Sequence, residues 1–129
     1  MRIILLLAIV TLSGCDAFWV HSFATDPREV PKSDLKAFIA KYSEARGMPC
    51  TDAPFRGAER LRCVEPGWGG HQYVVFFSET ADVAEAQLLL HTACCEPRWY
   101  REWRHELSTA AVERFGAKVR ITAITGGGP

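Results

Sequence analysis

The stretch that decides the fold is HQYVVFFS, residues 71–78. Its β-branched and aromatic residues are typical of a strand. Residues 59–65 form a second strand pattern, because apolar Leu61 and Cys63 alternate with arginines as on a strand with one buried face. The sequence PGWGG, residues 66–70, separates the two and has the composition of a turn. We therefore predict an antiparallel pair of strands joined by this glycine-rich loop.

Helical patterns lie on both sides of this pair. The first begins at residue 33, where apolar residues recur three and four positions apart, and Gly47 and Pro49 end it. The last begins after Pro97, which suits a first helical turn, and stops at Gly116, a natural C-terminal residue for a helix. A final strand is predicted over residues 118–124.

Another helix is predicted between these two, from about residue 80 to Cys95. Ser78 or Thr80 can cap its start. Leu90 and Cys94 are among the residues that would then face inward. The sequence therefore predicts three helices, of which the last two meet at Pro97.

The fold class depends on whether residues 18–23 also form a strand. With that strand the order is βαββααβ, a ferredoxin-like arrangement whose second helix is broken at Pro97. Without it the order is αββααβ, and Phe18 and Trp19 would instead sit at a membrane interface, where tryptophan is enriched. We favour the strand. Either way we predict an α+β domain of two layers, with helices on one face of a mostly antiparallel sheet of three or four strands.

The first fifteen residues have the layout of a secretory signal. Arg2 is positively charged, residues 3–12 are almost wholly apolar, and Leu12-Ser13-Gly14-Cys15 ends the segment. These four residues match the box of bacterial lipoprotein signals, and the leader resembles such a signal. The resemblance implies cleavage before Cys15 and a covalent lipid on Cys15 that holds the mature protein to a membrane. A transmembrane helix is the alternative, but it needs about 20 apolar residues.

The same resemblance implies a place in the cell and a division of the chain. The protein is expected in the bacterial cell envelope, on the periplasmic face in a Gram-negative cell. Asp16, directly after Cys15, favours the inner membrane, as it does in enterobacterial lipoproteins. The expected parts are a cleaved signal peptide at residues 1–14, a single domain at residues 15–125 and a disordered tail at residues 126–129.

Charge excludes one class of partner. The whole chain has 15 Lys and Arg and 15 Asp and Glu, and removal of the leader takes away only Arg2, so the mature net charge is about −1. A protein that binds nucleic acid through the phosphate backbone needs a basic surface. We therefore expect no nucleic-acid partner.

The cysteines give a second signal of export. Four follow the leader, an even number that predicts two disulfides in a small exported domain: Cys50, Cys63, Cys94 and Cys95. The inward positions of Cys63 and Cys94 favour that pair and leave Cys50 for Cys95. The pairing that joins the neighbours Cys94 and Cys95 closes a strained ring and leaves Cys50 to pair with Cys63, and it ranks last.

A metal- or thiol-handling role is the alternative for these cysteines. His91 lies close to Cys94 and Cys95 in the sequence and would supply a further ligand. The spacing fits no standard zinc pattern, however, and the redox motif C-x-x-C is absent. The sequence also lacks a G-x-S-x-G elbow and a complete zinc-protease motif. We therefore predict no catalytic residue and no metal site, and the lipid on Cys15 is the only bound group expected.

The segment RWYREWR, residues 98–104, has the composition of a binding site. Trp, Tyr and Arg dominate the hot spots of protein interfaces. Helical spacing already assigns Tyr100 and Trp103 to the core. The candidate partner-binding residues are Trp68, Arg98, Trp99, Arg101 and Arg104.

These residues favour a non-enzymatic binding domain, either an assembly subunit or an inhibitor or immunity-type protein. Its partner would be an envelope protein or a glycan. The metal- or thiol-handling module is the first alternative, and an enzyme that acts on the cell wall is the second.

Overall fold

The computed structural model describes residues 17–65, 72–92 and 96–127. They form one six-stranded antiparallel sheet with two α-helices. In chain order the elements are β1 (Ala17–Thr25), α1 (Lys32–Ala45), β2 (Cys50–Asp52), β3 (Glu59–Val64), β4 (Gln72–Glu79), β5 (Ala84–Thr92), α2 (Arg98–Phe115), a 3₁₀ turn (Gly116–Lys118) and β6 (Val119–Gly127). The α+β class is confirmed, but the sheet has more strands than the three or four expected.

The strand order across the sheet is β2-β3-β4-β5-β1-β6, and each neighbouring pair is antiparallel. Strands β2 to β5 follow one another as a meander. Strand β1 lies between β5 and β6 and pairs with both along its nine residues. The strand expected over residues 18–23 is thus confirmed, and so is the β3–β4 pair.

The helix predicted from residue 80 to Cys95 is wrong, because strand β5 occupies residues 84–92. The buried residues of β5 recur at every second position: Ala84, Ala86, Leu88 and Leu90. Alanine, leucine, glutamate and glutamine favour helices, but pairing with β4 and β1 overrides that local preference. Thr80 caps a tight turn between β4 and β5 instead, and its hydroxyl accepts the Val83 N–H at 3.1 Å.

Both described helices pack on the same face of the sheet. They bury Leu35, Ile39 and Ser43 from α1 and Tyr100, Trp103, Leu107 and Ala111 from α2. The rings of Tyr42 and Trp103 lie 5.1 Å apart and join the two helices. The layer has two helices in the described residues, where the sequence predicted three.

The ends of the helices follow the predicted stop signals. Gly47, with φ of 77°, follows α1, and Gly116, with φ of 60°, follows α2. At the start of α1 the Lys32 N–H donates to Glu79 at 2.8 Å. That carboxylate satisfies an amide that a helix leaves free and lies at the positive end of the helix dipole.

The sheet has two distinct ends. At the Ala17 end, Ala17 pairs with Thr92 and Gly127, and the β3–β4 pair ends at Val64 and Gln72. At the opposite Thr25 end, Thr25 pairs with Ala84 and Val119, and β2 turns into β3. Helix α1 runs from the Thr25 end to the Ala17 end, and α2 runs the other way.

The C-terminal strand is longer than expected. The expected disordered tail covers residues 126–129, but β6 includes Gly126 and Gly127, which pair with Phe18 and Ala17. Residues 128 and 129 lie outside the described residues, as do Cys15 and the rest of the leader. Across the part of the chain that the structure describes, no helix is long and apolar enough to cross a membrane.

Candidate binding surface

The predicted binding segment forms the first two turns of α2, at the Ala17 end. Tyr100 and Trp103 are buried, as the helical spacing predicted. Arg98 and Arg101 are exposed, and Arg98 pairs with Glu102 one turn along the helix, at 2.7 Å. Exposed pairs of this kind contribute little to stability, because water and salt screen them.

The other two candidates of the segment are turned partly inward. Trp99 is half-buried, and its ring packs edge-on against Tyr100 with 5.8 Å between centroids. Arg104 donates to Glu96 at 2.5 Å, and this pair is largely shielded from solvent. Trp68, the remaining candidate, lies outside the described residues. Of the five predicted residues, Arg98 and Arg101 are therefore the ones placed on the open surface.

Beside Arg104, a buried histidine lies between α2 and β1. His21 is 5 % exposed, and its Nε2 lies 2.7 Å from the Ser108 hydroxyl. That hydroxyl donates to the Arg104 carbonyl at 2.6 Å, so it accepts its hydrogen bond from the His21 ring. Burial, together with the nearby Arg104 guanidinium, lowers the pKa of His21 to about 4. His21 is thus neutral at neutral pH and acts as part of the core.

One disulfide is present among the described cysteines, between Cys50 and Cys63. The two residues face each other because β2 pairs with β3, and their Cα atoms are 4.1 Å apart. The preferred pairing of Cys63 with Cys94 and of Cys50 with Cys95 is therefore wrong. Its error was the missing strand β2, which alone places Cys50 beside Cys63. Cys94 and Cys95 lie outside the described residues.

The described residues give no support to the alternative of a metal site. Residues 17–65, 72–92 and 96–127 contain no group of three His, Cys, Asp or Glu side chains that could hold a metal ion. His91 lies on β5 and is exposed.

An ion-pair network next to the disulfide connects α1 to the edge of the sheet. Lys36 Nζ lies 2.7 Å from Asp52 and 2.9 Å from Glu59, and Lys32 Nζ lies 2.6 Å from Glu59. Hydrogen bonds from Lys32 and Lys36 lower the pKa of Glu59, and those to Asp52 and Glu59 raise the pKa of Lys36. The charges compensate each other, so this network holds the short strand β2 in place.

The turn between β2 and β3 has an unusual backbone. Phe55 and Ala58 exchange two backbone hydrogen bonds, of 3.1 and 3.0 Å, around the two central residues Arg56 and Gly57. Both central residues have positive φ, 49° and 79°, which defines a type I′ turn. Asn-Gly is the preferred pair at these positions, because a Cβ atom crowds the next carbonyl oxygen at positive φ, whereas glycine has no Cβ and asparagine can hydrogen-bond locally. Arg56 is the one non-glycine residue with positive φ in the described part of the chain.

This turn presents an aromatic ring between two arginines. Phe55 is 46 % exposed, and Val112 is the other large exposed hydrophobic residue in the described ranges. The guanidinium carbons of Arg56 and Arg60 lie 5.2 and 5.0 Å from the centroid of the Phe55 ring. Arg60 also lies 5.9 Å from the ring of Phe76, on the sheet face opposite the helices. We name Phe55, Arg56, Arg60 and Phe76 the arginine–phenylalanine cluster.

The cluster is ordered but keeps its charge available. Arg60 Nε donates to the Ala53 carbonyl at 2.7 Å, which fixes its guanidinium. Neither Arg56 nor Arg60 forms an ion pair with a carboxylate of the described residues. A guanidinium held beside an aromatic ring can bind a carboxylate through two parallel hydrogen bonds while the ring packs against an apolar group.

A different kind of surface lies between the two helices. It is an open groove of about 460 Å³, lined by Phe38, Tyr42 and Phe115 with Lys41 and Arg114 at its sides. The Phe38 and Phe115 rings meet edge-on at 5.3 Å. These rings pack against the core and contact one another.

Sequence reasoning missed the arginine–phenylalanine cluster. Residues 53–58 show neither helical nor strand periodicity, so nothing placed Phe55 near Phe76. The available signal was composition, because the stretch FRGAER, residues 55–60, combines an aromatic residue with two arginines around a glycine. The same criterion drew attention to residues 98–104.

No protein-family model matches the chain, and no curated protein matches it.

Proposed function

We propose that this protein is a lipid-anchored, non-enzymatic binding domain of the bacterial cell envelope, and that the arginine–phenylalanine cluster is its partner-binding surface. The observation that carries the proposal is Phe55, exposed between Arg56 and Arg60, neither of which has a carboxylate partner in the described part of the chain. The anchor is supported by the signal-like leader ending at Cys15, and Asp16 favours the inner membrane.

The cluster is easier to explain by binding than by stability. Phe55 gains only part of the free energy that a buried phenylalanine gains from folding, because nearly half of its surface stays in water. Arg56 has a positive φ, a conformation that costs a non-glycine residue about 1 to 2 kcal/mol and that asparagine tolerates better than arginine does. Residues that cost stability at an ordered surface are typical of functional sites.

The chemistry of the cluster indicates a protein partner. Two guanidiniums beside two phenyl rings complement a surface that presents a carboxylate next to an apolar side chain. Arginine and aromatic residues are enriched at the centres of such interfaces. This partner class suits both forms of the predicted function, an assembly subunit and an inhibitor or immunity-type protein.

The test compares variants of the full-length, membrane-bound protein. Phe55→Ala and Arg60→Ala should each weaken the affinity for the co-purifying envelope protein by at least about thirtyfold, which corresponds to a hot spot of about 2 kcal/mol. Less of that protein should then be recovered. Val112→Ala removes the other exposed apolar side chain and is the matched control. Equal recovery with Phe55→Ala and Val112→Ala would contradict the proposal.

A further inference from the structure

We propose that the Ala17 end of the sheet lies against the bilayer surface, and that the first turn of α2 contacts the lipid headgroups. This inference rests on the proposed lipid at Cys15. It assigns to the predicted segment, residues 98–104, a membrane-facing position rather than a protein-binding one.

The first step is the length of the tether. Asp16 is the one residue between Cys15 and Ala17, the first residue of β1. Two residue steps span at most about 7 Å. Ala17 cannot move far from the sheet, because it pairs with Thr92 on one side and with Gly127 on the other. A lipid on Cys15 therefore holds this end of the sheet within a few ångströms of the headgroups.

The second step is that the start of α2, with its exposed arginines, lies at the same Ala17 end of the sheet. Strand β5 ends at Thr92, beside Ala17, and α2 begins six residues later at Arg98. The side chain of Arg98 is 83 % exposed, and Arg101 is exposed one turn along the helix. Arg101 has no ion-pair partner among the described residues. Guanidinium groups held near a bilayer can bind lipid phosphates through paired hydrogen bonds.

The third step is the height of the partner-binding surface. The nine residues of β1 span about 27 Å from Ala17 to Thr25, at roughly 3.4 Å per residue. The turn that carries Phe55 lies at the Thr25 end, because β3 begins opposite Phe77 and β4 runs on to Glu79. The Phe55 turn, level with Ala24 and Thr25, thus lies about 25 Å along the strands from Ala17, and Phe76, level with Ser22, lies about 17 Å from it. The geometry separates the anchor from the binding surface along the strands.

Energy transfer from the protein to labelled lipids tests this orientation. The full-length acylated protein is placed in vesicles of phosphatidylethanolamine and phosphatidylglycerol that contain a headgroup-linked acceptor. A donor dye is attached through p-azidophenylalanine at position 101 or at position 55. We expect transfer at least about twofold more efficient from position 101 than from position 55, because of the 25 Å difference in height.

A linker variant provides the control. About twelve Gly and Ser residues inserted between Asp16 and Ala17 reach up to roughly 40 Å and should bring the two transfer efficiencies close together. Equal transfer from both positions with the native tether would overturn the orientation, and so would more efficient transfer from position 55. The intact mass of the protein tests separately whether Cys15 carries a lipid. A protein without that lipid would overturn both the proposed anchor and the proposed orientation. If the arginine–phenylalanine cluster does not bind a partner, the energy-transfer result is unaffected, so the two proposals can fail independently.

Discussion

The buried histidine predicts a loss of stability in mild acid. In the folded protein the pKa of His21 is about 4, whereas its ordinary value, which applies to the unfolded chain, is 6.5. Between these values the unfolded chain binds a proton that the folded protein does not. The contribution of neutral His21 to the stability of the folded protein is therefore complete above pH 6.5 and is lost as the pH falls toward 4.

The size of this effect follows from the two pKa values. At pH 5 the unfolded chain is almost fully protonated at His21, and the folded protein is almost fully neutral there. Proton linkage then lowers the free energy of unfolding by about 2 kcal/mol between pH 7 and pH 5. This is between about one seventh and two fifths of the 5 to 15 kcal/mol that is typical of a native domain.

The assay is urea unfolding of the detergent-solubilised protein at pH 7, 6 and 5, followed by tryptophan fluorescence. His21→Gln keeps a side-chain amide near Ser108, but glutamine does not titrate. Between pH 7 and pH 5 this variant should therefore lose about 2 kcal/mol less free energy of unfolding than the wild type does. His105→Gln, at an exposed position on α2, is the matched control and should follow the wild type. The reasoning is refuted if His21→Gln and the wild type lose the same free energy of unfolding over this range.

Three further predictions concern the fold. Peptide mapping without reductant should recover Cys50 linked to Cys63, and replacement of both by serine should lower stability by about 2 to 4 kcal/mol; a Cys63–Cys94 peptide would contradict the structure. The Ser43 hydroxyl donates to the Ile39 carbonyl and so accepts a hydrogen bond from Tyr73. Ser43→Ala should therefore lower stability by about 1 to 3 kcal/mol, and adding Tyr73→Phe should restore part of the loss. Additive losses in the double-mutant cycle would exclude that bond. Arg56→Asn should raise the urea midpoint while it weakens partner recovery, and a lowered midpoint would show that the turn is not strained.

The sequence predicted those parts of the fold in which local preference and tertiary pairing agree. Strands β3 and β4 have β-favouring residues with alternating burial, and the helices have apolar faces that end at Gly47 and Gly116. Strand β5 could not be identified, because its Ala, Leu, Glu and Gln residues favour a helix and only its neighbours β4 and β1 make it a strand. Strand β2 has three residues, too few for a periodic pattern.

The candidate site was harder to predict than the fold. The burial of Tyr100 and Trp103 followed from helical spacing, but the inward turn of Arg104 depends on Glu96, eight residues earlier and outside the helix. The arginine–phenylalanine cluster joins two strands through Arg60 and Phe76, a contact set by the β3–β4 register. A pattern within one segment cannot reveal such a site.

The most direct test of the account is photo-crosslinking in native membranes, with p-benzoylphenylalanine at position 55 or at position 101. The account predicts that position 55 captures a protein and position 101 captures lipid, since the two lie at opposite ends of the sheet. The same protein captured with equal yield from both positions, or none captured from position 55, would contradict it.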